Sequence, residues 1–385
     1  MKYITNFLLS GLMMAAMTFA SAAREPAPPK GGYLVYVGTY TGPQSKGIYV
    51  FHFNPATGQV TDPELAGEIG NPSWLAIDPT RRFLYAVSEY NNEKSALSAF
   101  GIDRASGKLT LLNTVPAGGR SAVSTWIDNT GKNALVANYH GGSVAVRRIK
   151  EDGSLGEQTA FVQHTGSSVT PRQSQPFAHS IYLSPDNRFA LVPDLGLDKV
   201  VVYRFDAAQG TLAPNDPPFA KIKPGSGPRH LAFHPNGKWV YLVAEISRTV
   251  TQFAWDAKRG ALAELQTISA LSLSDVPPGR AGSAEVQVAP NGRFLYASNR
   301  GPDTIAVFSI KPKDGSLTAV EQVPTQGTMA RTFSLDPTGS YLFAANQNSN
   351  NIVVFRVDRK TGRLTPAGKV LTVGGPVCVA FLPLN

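Results

Sequence analysis

Short runs of alternating apolar and polar residues follow one another along the chain, as in GIYVFHF (47–53), VVVYRF (200–205) and NIVVFRV (351–357). They are rich in β-branched and aromatic residues and separated by D-x-x-x-G or P-N-G turns, the pattern of half-buried strands joined by hairpins. A further apolar run, preceded by a turn and carrying another turn near its start, recurs as a 14-residue copy. The copies are AIDPTRRFLYAVSE (76–89), WIDNTGKNALVANY (126–139), YLSPDNRFALVPDL (182–195), AFHPNGKWVYLVAE (232–245), QVAPNGRFLYASNR (287–300) and SLDPTGSYLFAANQ (334–347). A seventh is split: GGYLVYVGTY (31–40) keeps its second half, and VCVAFLP (377–383) supplies the first half from the other end of the chain. Four short strands per period cannot bury their faces alone, but they can when stacked radially around an axis. The pattern therefore predicts an all-β, seven-bladed β-propeller closed by pairing of its N- and C-terminal strands. A parallel β-solenoid would have shorter repeats, and its ends would not complement each other.

In a blade the innermost strand runs along the central channel and the next returns antiparallel to it, so the entry of the first and the exit of the second share one rim. The entry positions, three residues before each copy, are Ser73, Val123, His179, Arg229, Ala284, Arg331 and Val377. The exit positions are Tyr40, Glu89, Tyr139, Leu195, Glu245, Arg300 and Gln347. Small or apolar residues would suffice for folding, yet adjacent blades supply His179, Arg229, Glu245 and Arg300. A titratable base, a carboxylate and two permanent cations at a channel mouth could bind an anion and move protons. Arg331, His140, Glu89 and Asn299 form a second group of candidates, for substrate binding.

Each residue also has a bland reading. Glu245 with Arg229 or Arg300 could be an ion pair between blades, and His179 could bond a loop carbonyl. His230 should point away from Arg229 by strand alternation, into packing. Asn138, Asp194, Asn299 and Asn346 read as caps of the turns after strand ends. A calcium ring of these oxygens with Glu89 and Glu245 is disfavoured by the arginines sharing the rim, so the reading includes neither a metal nor a cofactor.

Composition changes the picture little: 385 residues, 42% hydrophobic and 16% charged, with Gly 36 and Pro 29, describe a turn-rich globular chain. The formal charge of +9 is spread out, with no Lys/Arg run and no zinc-finger spacing, which suits steering of small anions and gives no nucleic-acid partner. Cys378 is the only cysteine, so no internal disulfide exists. Lys2, the apolar stretch from Phe7 to Ala20 and the small residues through Ala23 predict a secretory signal peptide over residues 1–23. A flexible lead-in (24–30) and one propeller domain (31–385) follow, which implies a periplasmic or secreted protein with no membrane insertion of the mature chain.

The phrases VGTYT (37–41), NPSWLAIDP (71–79), ANYHGGSV (137–144), HSIYLSPD (179–186), DLGLDKV (194–200), GPRHLAFHPNG (227–237), SNRG (298–301) and ANQNSNNIVVF (346–355) resemble the seven-bladed lactonase family. That family includes the bacterial propeller-type 6-phosphogluconolactonase and the fungal carboxy-cis,cis-muconate cyclase. The resemblance spans residues 31–385 and implies activity on a small anionic lactone. By order and spacing, the histidine, arginine, glutamate and second arginine of the cyclase branch fall on His179, Arg229, Glu245 and Arg300. Phe177 stands where the family often has another histidine, which leaves His179 alone in that role. The implied export points to a substrate other than the cytoplasmic phosphorylated sugar lactone.

The leading expectation is a lactone hydrolase in which His179 or Glu245 is the base and Arg229 and Arg300 hold anionic groups. No G-x-S-x-G context is present, which favours direct water attack. A lactone-forming cyclase and a non-catalytic binding propeller in the envelope stay open; a partner-binding rim would carry exposed aromatics, whereas this one is ionic.

Overall fold

The computed structural model describes residues 31–271 and 282–384. The expected signal peptide and lead-in, residues 272–281 and residue 385 lie outside the described residues. Seven antiparallel sheets are arranged as blades. The closing blade orders Pro376–Pro383 innermost, then Tyr33–Thr39, Gly47–Asn54 and Gln59–Val60. Tyr33 pairs with Pro383 and Val37 with Val379, so the two chain ends complete one blade as the split copy predicts. The remaining blades begin on the inner strands Leu75–Ile77, Ala122–Ile127, Tyr182–Leu183, Pro228–Phe233, Gly282–Val288 and Ala330–Leu335.

Second strands such as Asn133–Asn138 and Trp239–Ala244 are buried throughout, because each face packs on a neighbouring blade. Outer strands such as Leu109–Pro116 alternate and are largely exposed. The apolar clusters lie between blades; one joins Tyr296 and Val307 to Phe333, Leu342 and Phe355 across two sheets. Tyrosine hooks reinforce this packing. The hydroxyls of Tyr36, Tyr85, Tyr241 and Tyr296 donate to the carbonyls of Gly107, Gly153, Gly315 and Gly362 in the next blade, at 2.7–3.1 Å. Those glycines sit in hairpins at φ of 73–84°, a region that favours glycine.

One irregularity positions the rim. At the top of the inner strand the register slips, with Pro228 opposite Ala244 but His230 opposite Val243, so Arg229 is an extra, bulged residue. The same slip leaves Val123, Arg331 and Val377 bulged, and Ala284 and Glu285 share a slip in their blade. A bulge breaks side-chain alternation locally and re-aims a residue. Hence strict alternation between Arg229 and His230 fails at the bulge, whereas the packing expected of His230 holds: its ring is buried, 5.1 Å from that of Trp74 and 5.2 Å from that of His179.

Candidate active site

Glu245, at the exit of its second strand, is the hub of the upper channel mouth. Arg229 Nε donates to Glu245 Oε2 at 3.1 Å, Arg300 Nη2 reaches the same oxygen at 2.8 Å, and Arg172 Nη2 reaches Oε1 at 2.5 Å. Arg229 is anchored again by donating from Nη1 to the Ala284 carbonyl at 2.6 Å, with its side chain only 2% exposed. Burial pushes the Glu245 carboxyl up, but the charges of Arg300, Arg229 and Arg172 outweigh it and hold the group far below its ordinary 4.5. Burial and repulsion from Arg300 and Arg331 bring Arg229 down to about 10, still cationic at neutral pH. The inter-blade ion pair foreseen for Glu245 is therefore present, with a third arginine added.

Arg172 was invisible to the repeat argument because it lies outside the copies, on a short 3-10 turn (Pro171–Gln173) in the connection leading to His179. The available signal was length: copies end at residues 139 and 195 across this connection, the longest interval in the chain. The connection is firmly held. Gln173 is buried and donates to the Leu195 carbonyl at 2.8 Å, Ser168 donates to Asp198 at 2.6 Å, and Gln175 donates to the His140 carbonyl at 3.1 Å.

His179 is buried beside this cluster, with its ring 5.2 Å from those of Tyr139 and His230. Its Nδ1 has no hydrogen-bond partner among the described residues. Burial, followed by the Arg229 charge, holds it well below 6.5, so it is neutral at physiological pH. Beneath it, His230 Nδ1 lies 2.9 Å from Glu285 Oε2, and Trp74 meets the His230 ring edge-on at 5.1 Å. Glu285 was missed as a channel residue because the bulge displaces it from the expected alternation.

Across the mouth, Arg331 faces Glu89 at 3.9 Å and covers the Tyr40 ring at 5.3 Å, while the Tyr40 hydroxyl donates to Glu89 at 2.7 Å. His140 stands at the rim with Nδ1 2.8 Å from Ser121 Oγ, beside Tyr139 and Phe177. Asn299 does not join them. It is fully buried, accepts from Ser283 and donates to the Ala270 carbonyl at 2.8 Å, so its amide ties its blade to the end of the preceding one. Asn138 and Asn346 bond the Ala117 and Thr325 carbonyls in the same way. The turn-capping expectation holds at Asp194, which accepts from the backbone N–H groups of Gly196 and Leu197. Among the described residues, no three His, Cys, Asp or Glu side chains gather to hold a metal ion.

The family described as lactonase, 7-bladed β-propeller, matches residues 34–381. The chain belongs to this lactonase family. A Bacillus subtilis protein named 6-phosphogluconolactonase is 37% identical over 350 residues, covering 91% of this chain and 98% of its own. One of the same name from Formosa agariphila is 36% identical, covering 78% and 86%. Among solved structures, the Pseudomonas aeruginosa periplasmic gluconolactonase superposes with a TM-score of 0.86 at 35% identity, covering 92% of this chain and 99% of that one.

Within this lactonase propeller, the upper mouth offers a neutral imidazole as proton acceptor and guanidiniums fixed by buried partners. Glu245 is an anion throughout the neutral range and carries its charge to orient arginines.

Proposed function

We propose that the protein hydrolyses a small lactone at the upper channel mouth, with His179 as general base. The observation that carries this reading is the buried, neutral, incompletely bonded His179 ring set against a wall of arginines. Water attacks the lactone carbonyl carbon while His179 takes its proton. The negative charge on the carbonyl oxygen is met by guanidinium donors, Arg229 and Arg300 foremost. Collapse breaks the bond to the ring oxygen, which receives the proton from the imidazolium, and a hydroxy acid leaves. Of the two bases open from sequence, the charge environment favours His179, because a carboxylate held far below its ordinary range is a weak proton acceptor.

Arg331, Glu89, Tyr40 and His140 form the wall on which the rest of the substrate rests. Residues 1–23 support export to the periplasm or medium, as does the likeness to a periplasmic gluconolactonase. Among the described residues, no helix is long and apolar enough to cross a membrane. The test is acid release, followed by pH-stat, from a panel of aldonolactones, their phosphorylated forms and muconolactones. Turnover that His179→Ala lowers about a hundredfold supports the assignment; a wild-type chain that opens no lactone overturns it in favour of a binding propeller.

A further inference from the structure

The three guanidiniums on Glu245 are not equivalent. Arg229 and Arg300 are 2% and 14% exposed, whereas the Arg172 side chain is 53% exposed. Arg229 and Arg300 each have a second anchor in a backbone carbonyl, Ala284 and Gly282 respectively. Among the described residues, Arg172 has Glu245 and the Tyr139 hydroxyl and no backbone anchor for its side chain. Its backbone is pinned by Gln173, Ser168 and Gln175 as described, so the freedom lies in the side chain alone. Only the Arg172 end of this pair is exposed, so water can take up its guanidinium, and Glu245 would keep two cations on its other oxygen.

Charge points the same way. Among the described residues, Arg172, Arg229, Arg300 and Arg331 pair with Glu245 and Glu89 around the mouth, and Glu285 adds its charge near Arg229 from beneath, so four guanidiniums stand against three carboxylates where a ligand enters. Arg229 is too enclosed and too fully committed to reach for a distal group.

We propose that Arg172 is the exchangeable anion receptor of this site. It leaves Glu245 to form a forked contact with a carboxylate or phosphate carried by the substrate away from its lactone carbonyl. It thereby selects anionic over neutral lactones. This role rests on the lactonase reading above, and a planar fork suits either oxyanion.

The test compares wild type, Arg172→Ala and Arg172→Lys on glucono-1,5-lactone, its 6-phosphate and a glucarolactone bearing a carboxylate at the same end. In Arg172→Ala the preference in kcat/KM for the charged lactones over the neutral one should fall at least tenfold, carried by KM, with Lys intermediate. The phosphate and carboxylate arms tell which oxyanion is favoured. Equal losses on all three lactones would overturn the proposal and make Arg172 a support for Glu245; unchanged preference would overturn it outright. Calorimetry with gluconate, glucarate and 6-phosphogluconate separates the two readings. If wild type opens no lactone, the hydrolase reading fails, while the receptor stands or falls on whether Arg172→Ala abolishes the extra affinity of glucarate and 6-phosphogluconate over gluconate.

Discussion

The channel has two mouths built from the same inner strands, and they differ in kind. The upper one is ionic, with arginines, two carboxylates and His179. The lower one is an open depression of about 490 Å³ lined by Trp74, Trp126, Tyr182 and Phe233, with Glu285 among its walls. There the ladders run in regular register, as in Leu231 opposite Leu242 and Phe233 opposite Val240, and the rings pack on one another, Trp126 on Tyr182 at 5.4 Å. At the upper end each bulge adds a residue that the ladder does not need. A residue free of ladder pairing can be chosen for chemistry, whereas one inside the regular ladder must also fill space.

The harshest way to break this contrast is to open the ring. Deleting residues 376–385 removes an inner strand that pairs along the whole of Tyr33–Thr39 and exposes an edge and the adjoining cluster. The expected outcome is loss of soluble, cooperatively melting protein; a truncation that melts like the full chain would show that closure is dispensable.

Next in size is Glu245→Gln. It leaves Arg229 buried without its counter-charge, which costs roughly 3–5 kcal/mol for a broken buried pair. The melting temperature and lactone turnover should fall together, while Trp126→Ala at the lower mouth should spare turnover. A Glu245→Gln protein as stable as wild type would mean that the arginines are held by the backbone alone.

His179→Ala should lower turnover about a hundredfold with little change in melting temperature. Since His179 is neutral well below 6.5, the acid limb of the turnover profile should lie below that value; a limb centred at 6.5 would point to an exposed base elsewhere.

The smallest effect is the pH dependence of stability. His179 and His230 both resist protonation in the fold, whereas unfolded histidines bind protons below about 6.5. Their contribution is complete above that value and is lost as pH falls below it. Glu245, whose folded value is depressed, adds a loss that begins only below about 4.5. Melting curves from pH 8 to 5 should decline on the acid side, and His230→Gln should flatten the decline; an unchanged slope would rule out His230 as a contributor.

The repeat made the fold legible. A copy broken across residues 31–40 and 377–383 has a meaning only in a closed ring, and the spacing placed Arg229, Glu245 and Arg300 on one rim without knowledge of any contact. Reasoning by alternation then failed one residue further on, at His230, because a bulge is set by hydrogen bonding between strands and leaves no mark in a polarity pattern. Arg172 escaped for another reason. It belongs to a connection outside the repeated copies, so no period could carry it to Glu245. Asn299, read from sequence both as a turn cap and as a substrate-binding candidate, turns its amide toward Ser283 and Ala270.

The closing blade also bears on how the chain can be cut. Leu384 donates its amide hydrogen to the Gly32 carbonyl at 2.9 Å, so the two ends of the closing blade lie side by side with a short gap between them. A short linker across that gap would make the covalent path circular, and the path could be reopened at the exposed Asp256–Arg259 turn. In such a permuted chain every inner strand, and with it every rim residue, would be covalently internal, and only an outer strand would remain to seal the ring.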